Sequence, residues 1–239
     1  MDYKNKIDLN NIPKHIAVIM DGNGRWAKSK GLPRIEGHKK GAFVVENLMD
    51  TALELKVKCV SLYAFSTENW NRPPAEVSAL WKLFEQFFSE KVPILNDKGI
   101  KVVHSGIYNK LPKSTVEKIK HASELTKMNK NIILNFCVNY GSQLEIVDAV
   151  NEIIKKSRSG DISKVSISSF KKYLYQPELP DVDLLIRTSG EFRISNFLLW
   201  QCAYAEFVFM KVLWPDFKPR DLYKAIYEYQ NRNRRFGGL

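Results

Sequence analysis

Within seven residues, Asp21-Gly22-Asn23-Gly24-Arg25-Trp26-Ala27 places a carboxylate, two glycines and a guanidinium directly after an apolar run. Glycines let backbone N–H groups approach an anion, and the Arg25 fork suits phosphate oxygens. A carboxylate beside phosphate is repelled unless a cation bridges them. Mg²⁺ does this with one or two carboxylates plus substrate phosphates, which marks Asp21 as a candidate ligand. Taken alone, Asp21-Gly22 reads first as an ordinary turn. Gly22-x-Gly24-x-x-Ala27 also matches the alanine form of a dinucleotide fingerprint. That reading needs an acid about 20 residues on, ending a second strand, whereas residues 47–50 have a helical pattern. A GxxxxGK[ST] phosphate loop is missing as well.

Three further stretches carry chemistry. Arg34 and His38 follow Arg25 closely, with His38 near the expected start of a helix whose dipole favours negative charge; a solvated basic loop is the plainer alternative. Phe65-Ser66-Thr67-Glu68-Asn69-Trp70-Asn71-Arg72-Pro73 offers helix-capping residues, but capping does not account for Glu68, Trp70 and Arg72. Arg187-Thr188-Ser189-Gly190-Glu191-Phe192-Arg193-Ile194-Ser195-Asn196 supplies two arginines, hydroxyls and a glycine before an expected helix start, a clamp suited to a diphosphate. Glu206 opens the last expected strand and is either a second carboxylate for a metal or a turn residue.

Elements must carry these groups. Short β-rich runs at 15–20, 59–65, 100–104, 132–138, 183–187 and 206–210 alternate with helical patterns at 37–57, 74–97, 114–127, 141–157, 168–174, 195–204 and 218–234. Continuous apolar strands alternating with helices predict an α/β fold: one domain, 1–239, with a mostly parallel six-stranded sheet flanked by helices. Residues 1–11 read as a flexible lead-in. Ligands of such sheets bind at the carboxyl ends of the strands, where the stretches above fall. Segment 74–97 carries more apolar residues than a single core stripe needs. It reads as a helix packed on two sides, a dimer surface, or the wall of an apolar cavity.

Composition narrows the partners. The 239 residues carry a net charge of +11 and 44% hydrophobic residues, enough for a sizeable core, which excludes a disordered chain. No apolar run approaches the roughly 20 residues of a bilayer span, and the start of the chain shows no signal-peptide pattern. Cys59, Cys137 and Cys202 form no CxxC pair, which favours buried thiols in a reducing cytoplasm. The charge excess sits at 14–40, with seven basic against two acidic residues, and at 218–239, with six against two. Nucleic acid, an anionic membrane or a polyanionic small molecule could each use it.

Together these segments resemble the cis-prenyltransferases, the family of undecaprenyl diphosphate synthases. The matching stretches are His15-Ile-Ala-Val-Ile-Met-Asp-Gly-Asn-Gly-Arg-Trp-Ala27, Phe65-Ser-Thr-Glu-Asn-Trp-Asn-Arg72, Asn139-Tyr140-Gly141, Arg187-Thr-Ser-Gly-Glu191, Arg193-Ile-Ser-Asn-Phe197 and Trp200-Gln-x-Ala-Tyr-x-Glu206. The resemblance spans 12–239. It implies addition of isopentenyl diphosphate to an allylic diphosphate, usually farnesyl diphosphate, with each new double bond cis. The product would be a long polyprenyl diphosphate such as undecaprenyl diphosphate, for a cell-wall lipid carrier. It also implies a homodimer, an apolar product tunnel and Mg²⁺.

Residue by residue, the resemblance makes Asp21 the catalytic, Mg²⁺-linked aspartate and Glu206 a second Mg²⁺ ligand. Gly22, Asn23, Gly24, Arg25, Arg34 and His38 match the allylic diphosphate site, with Trp26 beside it. Ser66, Thr67, Glu68, Asn69, Trp70 and Arg72 match a loop closing over the substrates. Arg187, Arg193, Ile194 and Ser195 fall at the isopentenyl diphosphate site, and the tail Arg235-Phe236-Gly237 reaches the partner subunit. Asn69 is the family's proton acceptor, but a neutral amide is a poor base and serves first as a positioning hydrogen bonder. Small Ala64 would keep the tunnel open. Ser142-Gln143 depart from the family's usual Gly-Arg. The expected location is cytoplasmic, with peripheral contact at the inner membrane face for product release. A catalytically silent family-like subunit or a basic nucleic-acid-binding module are the alternatives. The first is disfavoured by the retained Asp21 and clamp arginines, the second by the lack of nucleic-acid motifs.

Overall fold

The computed structural model describes residues 3–234. Its strands are β1 (His15–Ile19), β2 (Cys59–Ser66), β3 (Ile100–Ser105), β4 (Ile132–Tyr140), β5 (Leu184–Arg187) and β6 (Glu206–Phe209). They form one sheet in the order β3-β4-β2-β1-β5-β6, and every pairing is parallel. The helices are α1 (Asn23–Ser29), α2 (Arg34–Glu54), α3 (Pro74–Asp97), α4 (Lys113–Leu125), α5 (Ser142–Arg158), α6 (Ile167–Phe170) and α7 (Pro219–Gln230). After β1 the chain adds β2 beside it, crosses to β3 at the edge and comes back to lay β4 between β2 and β3. It then returns to place β5 and β6 on the other side, so the reversal lies between β1 and β5, where ligands of open sheets bind.

Every residue of β1 is buried, as a central parallel strand requires. Its alternating side chains serve two cores. Ile16 and Val18 join the larger one with Val45, Leu62, Trp81, Phe88 and Ile226. Ala17 and Ile19 join a smaller one with Tyr140, Leu185, Phe197, Leu198 and Cys202. Each fully buried aliphatic or aromatic side chain contributes roughly 1.5–3 kcal/mol. The three cysteines are free and buried.

Several boundaries differ from the sequence reading. Gly22 takes φ 108 and starts α1 at once, so the glycine pair opens a helix instead of a long turn. Helix α2 begins at Arg34, after Pro33, which puts His38 in its second turn. The helix expected at 195–204 does not form. Ser195, Asn196 and Leu198 adopt φ of 50, 62 and 47, and tertiary hydrogen bonds hold a run of turns there. The Arg187 clamp therefore precedes no helix. The 168–174 helix is the four-residue α6 followed by a 3-10 turn. Residues 3–11 lie against α7: the Tyr3 and Tyr227 rings are 5.5 Å apart, and Gln230 Nε2 donates to the Asp8 and Asn11 carbonyls.

Candidate functional site

A cavity of about 620 Å³ opens at the carboxyl ends of β1, β2 and β5. Its polar end gathers Asp21 to Gly24 from β1 and α1, Arg34 and His38 from α2, and Ser66, Glu68, Asn69 and Arg72 from β2 and the following turn. Arg187, Ser195 and Asn196 complete that end. The other end is apolar: Ala42 and Val45 of α2, Ala64 of β2, Leu80, Leu83, Phe84 and Phe87 of α3, and Phe136 of β4. Phe136 pairs with Leu62, well below Ser66 along the strands, and its ring lies 5.5 Å from that of Phe87. Helix α3 is thus a cavity wall, and Ala64 faces the cavity as its small size requires.

Asp21 and Arg187 form the centre of the polar end. Arg187 Nη2 lies 2.8 Å from Asp21 Oδ2, while Nη1 donates to Ser195 Oγ at 2.7 Å and to the Arg193 carbonyl at 2.6 Å. Burial pushes the Asp21 carboxyl up. The Arg187 hydrogen bond and charge, with the Gly22 N–H and Arg25, more than reverse this and hold its pKa below the usual value. Asp21 is therefore ionised at neutral pH. Arg25 does not line the cavity: it donates to Ser189 Oγ and O and lies 3.1 Å from Glu191 and 3.7 Å from Asp21.

Arg34 and Arg72 meet through Glu76, with Arg34 Nε 3.4 Å from Oε2 and Arg72 Nη1 3.1 Å from Oε1. Glu76 is not among the candidate residues named from the sequence, although its position four residues after Arg72 at a helix start is a usable signal. Between these cations His38 is driven down to about 4, first by burial and then by the Arg72 charge, so its imidazole is neutral. Its buried Nε2 and the buried Nε of Arg187 have no partner among the described residues. An anion in the cavity would find both unused.

The Thr67–Asn71 turn is fastened at two points. Trp70 Nε1 donates to Asn139 Oδ1 at 2.8 Å, and Asn196 Nδ2 donates to Glu68 Oε1 at 2.9 Å. Asn69 Oδ1 accepts the Ser66 N–H at 3.2 Å, a positioning contact. Thr67 and Trp70 do not line the cavity; Trp70 packs on Phe65 and Trp81. Neither do Trp26, Arg193 and Ile194. Trp26 donates to Asp216, Arg193 pairs with Glu191 at 2.5 Å, and Ile194 packs into the smaller core. At the departure noted above, Ser142 Oγ accepts the Leu199 N–H at 2.9 Å, so this residue braces the 195–204 turns.

Glu206 is not brought to Asp21 in this chain. It pairs in register with Leu184, which pairs with Ile16, whereas Asp21 lies beyond Ile19. At about 3.3 Å per residue the two carboxylates are separated by more than about 10 Å of strand. Glu206 instead forms an ion pair with Arg232 at 2.8 Å. Arg235 and Gly237 lie outside the described residues. Among the described residues, no helix is long and apolar enough to cross a membrane.

Cations, the carboxylates of Asp21 and Glu68 and an apolar chamber in one cavity define a protein that handles an amphiphile with a polyphosphate head. The family model for undecaprenyl diphosphate synthase, a prenyltransferase family, matches residues 19–237, and the chain belongs to that family. It is 50% identical, over 98% of this chain and 95% of the relative, to the ditrans,polycis-undecaprenyl-diphosphate synthase ((2E,6E)-farnesyl-diphosphate specific) of Micrococcus luteus. It is 47% identical to an isoprenyl transferase of Oceanobacillus iheyensis, over 97% of this chain and 93% of the relative. Among solved structures it is similar to lavandulyl diphosphate synthase from Lavandula x intermedia in complex with dimethylallyl diphosphate. That match has a TM-score of 0.93 and 33% identity, covering 95% of this chain and 99% of the other. It is also similar to a probable undecaprenyl diphosphate synthase from Campylobacter jejuni, with TM-score 0.81, 32% identity and the same two coverages.

Proposed function

We propose that this protein elongates an allylic diphosphate, farnesyl diphosphate first, by successive addition of isopentenyl units with cis double bonds, to a product of undecaprenyl length. One observation carries this reading: a single cavity has Asp21, Arg34, His38, Arg72 and Arg187 at one end and an aliphatic and aromatic chamber at the other. The charged end suits the diphosphates, and the chamber suits a growing hydrocarbon, each buried CH₂ contributing about 0.8 kcal/mol. The name of the Micrococcus luteus relative supports the farnesyl primer.

In each cycle the allylic C–O bond breaks and diphosphate leaves with the electron pair. The isopentenyl double bond supplies the electrons of the new C–C bond, and a proton is lost from the adjacent carbon. Arg34, Arg72 and the Gly22–Gly24 backbone hold the leaving diphosphate, and Arg187 with Ser195 holds the isopentenyl diphosphate. These fixed charges stabilise the leaving group without reorganising. Holding two substrates head to tail removes much of the entropic barrier. Asn69 orients, and a bound diphosphate oxygen takes the proton.

Mg²⁺ fits the donor set. No cluster of three or more His, Cys, Asp or Glu among the described residues could hold a metal alone, and one ionised carboxylate plus substrate oxygens is the usual Mg²⁺ arrangement. Asp21 would hold it, and the ion would neutralise charge on the leaving diphosphate. A homodimer is supported by the exposed α5 stripe of Val147, Val150 and Ile154. Exposed Lys28, Lys30 and Lys40 support a transient contact with an anionic membrane during product release.

The test is to incubate the protein with farnesyl diphosphate, labelled isopentenyl diphosphate and Mg²⁺, and to size the products. Lack of extension would overturn the reading, and a product that stops after one added isopentenyl unit would replace successive elongation with a single coupling.

A further inference from the structure

Asn196 stands at a junction that none of the roles above covers. Its carbonyl accepts the Ser142 N–H at 2.9 Å and its Oδ1 accepts the Gln143 N–H at 2.8 Å, so it satisfies the first two amides of α5. Its Nδ2 donates to Glu68 Oε1 at 2.9 Å. The preceding residue, Ser195, accepts Arg187 through Oγ, and its carbonyl accepts the Tyr63 hydroxyl at 3.2 Å. A Cβ added to Gly141 would lie 2.8 Å from Asn196 Nδ2 and 2.6 Å from Thr67 Oγ1. The start of α5, the Thr67–Asn71 turn and Asn196 therefore meet in close contact.

We propose that Asn196 is a positioning residue that couples filling of the Arg187–Ser195 pocket to closure of the Thr67–Asn71 turn over the cavity. An anion that draws on Arg187 Nη1 and Ser195 Oγ competes with the bond between them and so acts on the Ser195 backbone. Ser195 and Asn196 are consecutive left-handed residues, so no relaxed neighbour absorbs the adjustment. One end of the Asn196 amide is fixed on α5, which leaves Glu68 as the end that responds. Coupling of this kind is reciprocal: closure of the turn tightens the pocket as much as filling the pocket closes the turn. The inference rests on the elongation reading, which supplies isopentenyl diphosphate as the occupant.

The test uses amide hydrogen exchange across 67–71 with and without isopentenyl diphosphate, and calorimetric binding of the same compound. In the wild type, ligand slows exchange there by about ten-fold, within the usual range of coupling between sites. Asn196→Asp keeps the acceptor for Gln143 but sets two carboxylates face to face. It loses the ligand-induced protection and, by the same coupling, still binds ligand but about ten-fold more weakly. Adding Glu68→Gln restores a donor and acceptor of swapped polarity, and protection returns. Glu68→Ala, which leaves the 188–204 segment untouched, also abolishes the protection.

Protection that survives in Asn196→Asp or in Glu68→Ala would overturn the coupling, as would a folded, ligand-binding double variant without restored protection. A wild-type chain that binds no isopentenyl diphosphate would overturn the elongation reading, and the coupling with it. A wild type that binds but shows no protection refutes the coupling alone.

Discussion

His15 makes stability fall in mild acid, by an amount that can be worked out. It is 1% exposed at the start of β1. Its Nδ1–H donates to the Pro180 carbonyl at 2.7 Å, and Nε2 accepts the Ser61 hydroxyl at 2.8 Å. The line continues across the sheet: Asn135 Nδ2 donates to Ser61 Oγ, and Ser105 Oγ donates to Asn135 Oδ1. A second ring proton would face the Ser61 donor inside a closed network. Burial above all lowers the imidazole to about 4, against 6.5 in an unfolded chain. The folded state then binds fewer protons, so the contribution is complete above pH 6.5 and is lost as pH falls toward 4. The gap amounts to about 3.4 kcal/mol in all, of which about 2 kcal/mol disappears between pH 7 and pH 5. Urea unfolding of wild type and His15→Gln at pH 7, 6 and 5 tests this. The wild type should lose about 2 kcal/mol more than the variant, whatever their absolute stabilities. Parallel pH profiles, or a His15 ring resonance titrating near 6.5, would refute the reasoning.

Other predictions concern the cavity. Asp21→Asn should lower kcat by about 10²–10³ with an unchanged circular dichroism spectrum, because the amide lacks the charge that Arg187 keeps ionised; steady-state rates with both substrates decide it. Ala64→Phe should shorten the product while leaving the first addition close to wild-type speed, read by mass spectrometry of the polyprenyl chain. Gly37→Ala would place a Cβ 2.0 Å from the Asn23 carbonyl oxygen. Separating α1 from α2 should cost about 1–3 kcal/mol and weaken allylic diphosphate binding, measured by thermal melting and calorimetry.

Much of this was legible in the residues because local signals agreed. The strands were readable because parallel strands buried on both faces are mostly apolar, as 15–20 and 132–138 are apart from His15 and Asn135. Segment 74–97 coincides with α3, since its Pro-Pro start and wide apolar face serve the core on one side and the cavity on the other. The misses come from tertiary contacts. Leu198, Leu199 and Trp200 look helical, but Asn196 is committed to α5 and Glu68, and its left-handed backbone breaks the run. Gly22 and Gly24 look like a turn, but a left-handed Gly22, where an added Cβ would lie 3.0 Å from Leu213, begins a helix. Motif order alone grouped Arg193 and Glu206 with the other site residues. Only the register of β5 and β6 shows that Glu206 sits at the opposite end of its strand from Asp21.

Between β5 and β6 the backbone is left-handed at Ser189, Ser195, Asn196 and Leu198. Each such non-glycine residue costs about 1–2 kcal/mol, offset by contacts with β2, α5 and the Thr67–Asn71 turn and, at Ser189, with Arg25 and Val212. Heat therefore has a preferred first victim. The segment relaxes once those outside contacts loosen, while the sheet and α3 still hold. Catalytic inactivation should thus precede loss of helical signal on warming, and cooling from that intermediate temperature should restore turnover without refolding the core.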